Sequence, residues 1–303
     1  MRNIHILTLF IVSSFLSANS YAFTNYKKSL HTAIKDGDLA KVEKLIKKKP
    51  KLLKSQLQSD SGKTPSAIFV SAKYSYKPKS ADIFELLVNS GADIHTQYAE
   101  DNFVRQKMSI ADYVASKTSF GRDKVLERNL QALANEGVQI SPDFFHKQGP
   151  EIGKYSGDKV RVLHKFGADC HSSYLYYFIN ETNSSGLKEM LKHTSADFGP
   201  NPVESLSNYK ISTLNAEFSE MAVLSKIEKF NYVINVLSTQ LEFSDAEKET
   251  ILTAWSTHLI TTLSKEEARR VNDAIREKWG KRTDRVIKIL KFVVVTSWRA
   301  GLL

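Results

Sequence analysis

The sequence predicts an all-α protein, a run of stacked helical pairs followed by a C-terminal helical domain or cap. Three observations carry that expectation. With 13 Gly and 7 Pro in 303 residues, the chain is too poor in turn formers for an all-β fold. A short end-piece recurs through the middle of the chain at a spacing typical of helical repeats. Beyond Val203, apolar residues return at helical intervals. Hydrophobic residues make up 42% of the chain, enough for one large or two ordinary cores, which excludes collagen, a simple coiled coil and wholesale disorder.

The first segment reads as an address. Arg2 precedes an apolar run from Ile6 to Leu16, and Ser17 to Ala22 turn small and polar. Ser20 and Ala22 occupy the two small positions of a signal peptidase site, so residues 1–22 are expected to be removed after Ala22. The apolar run falls well under the roughly 20 residues that span a bilayer. The mature chain from Phe23 is therefore expected in the periplasm or outside the cell. Phe292 to Val295 is the best later apolar run and is far too short to span. Cys170 is the only cysteine, so no intramolecular disulfide can form even in an oxidising compartment. Asn180-Glu181-Thr182 and Asn183-Ser184-Ser185 match the glycosylation sequon and are read as chance.

The recurring end-piece is an apolar helical pair, a small residue, then Ala, Asp and an apolar residue. It reads Leu86-Leu87-Val88 before Gly91-Ala92-Asp93-Ile94, and Leu130 and Leu133 before Gly137-Val138-Gln139-Ile140. It returns as Val162-Leu163 before Gly167-Ala168-Asp169-Cys170, and more weakly as Met190-Leu191 before Ser195-Ala196-Asp197-Phe198. In the first unit Leu45-Ile46 is followed by Pro50 and Leu52-Leu53. Openings to match are Leu30-His31-Thr32-Ala33 with a break at Gly37-Asp38-Leu39, and Gly62-Lys63-Thr64-Pro65-Ser66-Ala67, with Gly for the turn and Pro expected at an early helical position.

On these residues the chain resembles the ankyrin repeat family, whose unit is a β-turn and two antiparallel helices. Leu30, His31 and Ala33 match the family's Leu-His-x-Ala, Gly37 its inter-helix glycine, and Thr64-Pro65 its Thr-Pro turn. Met108-Ser109-Ile110-Ala111-Asp112 is a degenerate opening, with Ser109 for Thr and Asp112 in place of His. The likeness covers about residues 26 to 198. Ser75 to Pro78 swell one connection, His95 to Lys107 make a longer finger than the family's, and the fourth unit lacks its opening motif where Gly149 to Gly157 intervene. The resemblance implies an ankyrin-like solenoid over 23–198 that recognises another protein and runs no reaction of its own.

Residues 199–303 are expected to form a helical domain or cap docked on the last repeat. Apolar spacing runs from Leu214 through Leu237, from Ile251 to Leu259, and from Val286 to Val294. Ser244 with Glu247 and Ser264 with Glu267 have the capping-box spacing.

The formal charge of +10 is concentrated at two places: residues 23–60 carry ten basic and four acidic side chains, and residues 251–303 carry eleven and five. Neither stretch interleaves its basic residues with aromatics along a reading element, so no nucleic acid is expected as partner. Lys41, Lys44, Lys47, Lys48, Lys49, Lys51 and Lys54 either meet an acidic partner or form a solvated outer face, the second being favoured.

No enzyme signature is present, and no catalytic residue, metal or cofactor is expected. Gly149-Pro150-Glu151-Ile152-Gly153-Lys154-Tyr155 is one residue short of a phosphate loop and has Tyr155 where Ser or Thr must hold magnesium. His164, Asp169, Cys170 and His171 are the best place for a metal or reactive thiol, as in a helper of an exported redox or metal enzyme. Their repeat positions favour a turn aspartate and a packed thiol instead. His31 is explained by the repeat. The expected partner-binding residues are Tyr74 and Tyr76 in the swollen connection, with Tyr98, Phe103 and Arg105 in the long finger; the alternative is local packing of those loops. The chain is thus expected to be a non-enzymatic adaptor or scaffold. A different class, an effector with an unrecognised activity in residues 199–303, would require a pocket of convergent polar groups there.

Overall fold

The computed structural model describes residues 23–59, 62–98, 107–119, 121–180, 184–194, 198–209, 220–261 and 263–279, which are mostly helical, in agreement with the all-α expectation. The expectations for the signal peptide at 1–22, for Phe103 and Arg105, and for the apolar spacing from Val286 to Val294 lie outside these residues. Among the described residues, no helix is long and apolar enough to cross a membrane. They divide into two compact units that meet in sequence between Ser141 and Pro142, inside the stretch read as repeats.

In the first unit, α1 (23–36) and α2 (Leu39–Lys48) are joined by a two-residue break. Gly37 takes φ +76°, its N–H donates to Ile34 O at 3.1 Å, and Asp38 N–H donates to Ala33 O at 2.9 Å. This pair of bonds is the Schellman ending, which satisfies carbonyls that the helix would otherwise strand. The Asp38 carboxylate then accepts from Lys41 N at 3.0 Å and starts α2. The same pair of bonds closes α4 (Ser80–Asn89) at Gly91-Ala92 and α6 (Asp123–Asn135) at Gly137-Val138. Ile94 and Ile140, the last residues of those end-pieces, are buried. The recurring sequence signature is thus a helix stop followed by an apolar anchor.

A turn of 3-10 helix at Pro50–Lys54 leads into an antiparallel hairpin, β1 (Gln56–Ser59) and β2 (Gly62–Ser66), with Leu57 buried. The hairpin corrects two expectations. The all-α chain includes a two-stranded ribbon where only a turn was read, and Pro65 lies in β2. Helix α3 (Ala67–Lys73) starts after Ser66, whose extended backbone (φ −61°, ψ 164°) takes the N-cap position. A proline disfavours helical geometry in the residue before it, so Thr64 stays extended and the strand runs on. Every residue of α3 from Ala67 to Ala72 is buried, as a central helix requires. It packs on α4 and on α5 (Ile110–Lys117), while α4 packs on α2 and α6.

Two polar ties brace this unit. Arg128 on α6 forks onto Glu85 of α4, at 2.9 and 2.7 Å, and reaches Asp82 at 2.8 Å; these bonds hold its guanidinium charged well above the usual range. Ser109 caps α5, accepting from Asp112 N at 3.1 Å. The buried Asp112 carboxylate accepts from Ser141 N at 2.9 Å and Ser141 Oγ at 2.6 Å.

The second unit runs through α7 (Phe144–Gln148), α8 (Gly157–Lys165), α9 (Leu175–Asn180), α10 (Ser184–His193), α11 (Pro202–Ser207), α12 (Glu220–Leu241), α13 (Asp245–Thr261) and α14 (Lys265–Trp279). α8 closes with the same pair of bonds at Gly167-Ala168 and packs on α10, with Gly157 N donating to Ser185 Oγ at 3.1 Å. Trp255 of α13 is fully buried; its indole N–H donates to Leu206 O at 2.6 Å, and Phe230 of α12 meets it edge-on at 5.3 Å. Tyr209 stacks on the same indole and donates to Ser172 O at 3.0 Å, and burial pushes its phenol up to about 12. Both expected capping boxes form: Ser244 N donates to Glu247 at 2.7 Å, Ser264 N to Glu267 at 2.7 Å, and each glutamate N–H returns to the serine hydroxyl.

Candidate binding groove

Helix α1 buries Leu30, Ala33 and Ile34, so helical geometry turns Lys28, His31, Thr32 and Lys35 to the other side. Facing that stripe are Ser59, Thr64 and Pro65 of the hairpin and Val70, Lys73 and Tyr74 at the end of α3; together they line a groove of about 360 Å³. Three lysines, a histidine, three aliphatic hydroxyls and a phenol converge there, and no carboxylate is among the described lining residues. The Tyr74 ring stands edge-on to His31 at 6.2 Å. Thr64 Oγ1 is buried with no hydrogen-bond partner among the described residues.

Of the residues expected to bind a partner, Tyr74 forms part of the groove wall, and Tyr76, 6.1 Å from it, is 45% exposed. Lys77 lies over the Tyr76 ring at 5.3 Å, and Arg122 donates to the Tyr76 carbonyl at 3.1 Å, so the swollen connection is held to its own unit. Tyr98 is half-buried. Its backbone pairs with Met108 at 3.0 and 2.8 Å, and its ring packs at 5.3 Å from Phe69 and 5.7 Å from Tyr113. Tyr98 therefore clamps the base of the finger by the local packing weighed as the alternative. Lys28, Lys35 and Lys73 were not singled out; the signal available was the polar stripe at positions 28, 31, 32 and 35 of a helix whose other side is apolar.

The remaining candidates resolve into structure. The seven lysines from Lys41 to Lys54 are all exposed. His164 stacks on His193 at 4.2 Å and has Nδ1 3.2 Å from Ala168 O, while His171 accepts from Ser173 N at 3.2 Å and caps a 3-10 turn. Cys170 is fully buried, at the place Ile94 and Ile140 take in the first unit, and burial, with help from Asp169 and Glu189, pushes its thiol up to about 12. A buried thiol kept protonated in this way is a poor nucleophile at neutral pH. Glu189 is desolvated, yet bonds from Lys192 and His193 hold its carboxyl below the usual range. Among the described residues, no group of three or more His, Cys, Asp or Glu is placed to hold a metal. The phosphate-loop lookalike is a 3-10 helix at Gly149–Lys154, with Lys154 paired to Glu151 at 3.1 Å and Tyr155 buried. A second, smaller groove of about 260 Å³ between α10 and α12 is lined by Lys188 and Lys229 but also by Glu228, with Tyr232 partly exposed.

Compared with known proteins, the chain matches no family model and no curated sequence.

Proposed function

We propose that this chain is an exported, non-enzymatic adaptor, an ankyrin-like stack of helical pairs that holds another protein against the hairpin groove. The observation that carries the reading is the groove itself. It is built from α1, the hairpin and the end of α3, with Tyr74 in its wall and Tyr76 exposed beside it. Support for the repeat architecture comes from the helix stops at Gly37, Gly91, Gly137 and Gly167, which share one bonding pattern, and from α4 packing on α2 and α6. A surface preformed on packed helices binds without first paying for its own ordering. Phe103 and Arg105 extend the binding residues along the finger, with Tyr98 as its anchor, and residues 199–303 serve as the cap. The expected address is the periplasm or the exterior, after cleavage behind Ala22.

The test is a photo-crosslinking amino acid placed at Tyr76, and separately at Lys44 on the outer face of α2, in the full chain expressed in its own cell. A discrete protein adduct from position 76 and none from position 44 is expected. No adduct from either position, or the same adducts from both, overturns the adaptor reading.

A further inference from the structure

We infer that the lysine face of α2 and of the 3-10 turn after it docks on an anionic phospholipid bilayer, a peripheral contact that does not depend on what the hairpin groove holds. From Lys41 to Lys54 the chain carries seven lysines and one acid, Glu43. All seven lysines are exposed, and Glu43 is taken up by Lys47 at 2.7 Å. Lys41, Lys44, Lys51 and Lys54 have no ion-pair partner among the described residues. The excess remains when every acid of the segment is counted: residues 23–60 hold ten basic side chains against Asp36, Asp38, Glu43 and Asp60. Local structure does not account for it. Val42 and Ile46 turn one side of α2 to the core, so Lys41, Lys44 and Lys48, at i, i+3 and i+7, share the opposite side over about 10 Å of helix. Like charges at such spacings weaken a helix. The helix dipole favours cations in the last turn, which explains Lys47 and Lys48. It opposes Lys41, which stands in the first turn with no acid there beyond the capping Asp38.

A bilayer is the occupant these residues fit. All seven cations are lysines, point charges on flexible stems without the planar fork with which arginine grips one carboxylate or phosphate. They suit a fluid array of headgroups better than a single fixed anion. None of them lines either of the two grooves described above, so they meet a surface rather than enclose a ligand. About four to eight clustered basic residues hold a segment to an anionic bilayer, each contributing about fivefold in partitioning. An aromatic edge adjoins them. Lys48 and Lys49 hold Nζ 5.3 and 5.6 Å from the centre of the Tyr26 ring, and Tyr26 is half-buried near the start of α1. The amphipathic ring of a tyrosine settles at headgroup level.

The protein, purified as its own cell processes it, is sedimented with vesicles of phosphatidylcholine containing about one-third phosphatidylglycerol, and with vesicles of phosphatidylcholine alone. Binding to the mixed vesicles and not to the neutral ones is expected, and it should weaken as salt shortens the Debye length. All variants keep the same N-terminus, so any contribution of residues 1–22 cancels between them. The combined change Lys41→Gln, Lys44→Gln and Lys51→Gln alters only exposed side chains and should lower the partition coefficient about tenfold or more. The Arg counterpart, Lys41→Arg, Lys44→Arg and Lys51→Arg, should bind within about twofold of the parent, because a headgroup array reads charge and not side-chain shape. The same loss of charge elsewhere, at the exposed Lys124, Lys154 and Lys192 as Lys124→Gln, Lys154→Gln and Lys192→Gln, should cost less than about threefold. Equal loss in the two Gln variants, equal binding to neutral vesicles, or no rescue by arginine overturns the inference. So does tighter binding to duplex DNA or to polyglutamate than to the mixed vesicles at matched anionic charge.

Discussion

Asp112 is the residue on which the first unit's last turn depends. Its buried carboxylate accepts both the backbone N–H and the hydroxyl of Ser141, 29 positions away. Hydrogen bonds to a charged group are worth about 1.5–3 kcal/mol, so Asp112→Ala should lower the unfolding free energy by about 2 kcal/mol in urea titration, and Asp112→Asn by less. Cys170 makes the opposite kind of statement, a titratable group held neutral. Its thiol has an ordinary value of 9.0 and is pushed up to about 12 in the fold. Below pH 9 it is protonated in both states and its contribution is fully present; between 9 and 12 only the unfolded chain ionises it, so stability drains away as pH rises through that window. Cys170→Ala should therefore flatten the alkaline limb of a stability–pH profile. A thiol reagent at pH 8 should leave the folded chain unlabelled and label it fully in denaturant. Asp112 was legible as a helix-start residue, but its partner was not, because nothing local distinguishes Ser141 from any other loop serine.

At the scale of elements, the helix stops explain why a weak repeat could be read at all. Two glycines test this directly. Gly37 and Gly91 take nearly the same backbone angle, φ +76° and +81°, but a Cβ on Gly37 would lie 2.5 Å from Pro78 O while one on Gly91 would meet nothing within 4 Å. Gly91→Ala should cost about 1 kcal/mol, the ordinary penalty for a left-handed non-glycine residue, and Gly37→Ala clearly more, both read from thermal melts. The difference measures how tightly the α1–α2 corner meets the connection before α4. The finger and the swollen connection separate in the same way. Tyr98 packs between Phe69 and Tyr113, so Tyr98→Ala should destabilise by about 2–3 kcal/mol. Tyr76 is 45% exposed, so Tyr76→Ser should stay within about 0.5 kcal/mol. Both tyrosines look alike in the sequence; only the path of the chain around α3 and α5 makes one an anchor and the other a surface residue.

Across the whole molecule, each compact unit carries its own core, α3 at the heart of one and Trp255 in the other. Trp255→Ala should cost about 3–5 kcal/mol in the second unit, while amide protection in α3 to α6 stays unchanged by hydrogen exchange, since local openings follow cooperative units. What the sequence by itself determined was everything carried by contacts a few residues long: helical class, the stops at glycine, the capping boxes at Ser244 and Ser264, and the apolar place of Cys170. These interactions close within one or two turns, so residue type and spacing suffice to specify them. The β-hairpin also belongs to that range, but Pro65 hid it by fitting a helix start equally well. Only the tertiary structure decided the groove, because its lining comes from residues 28–35, 59–65 and 70–74. Only the tertiary structure placed the unit boundary after Ser141, inside a stretch whose repeat signature runs on to Phe198. Which lysines face one another across a groove, and where one core ends, depend on how separate elements pack, and packing leaves no periodic trace in any single segment.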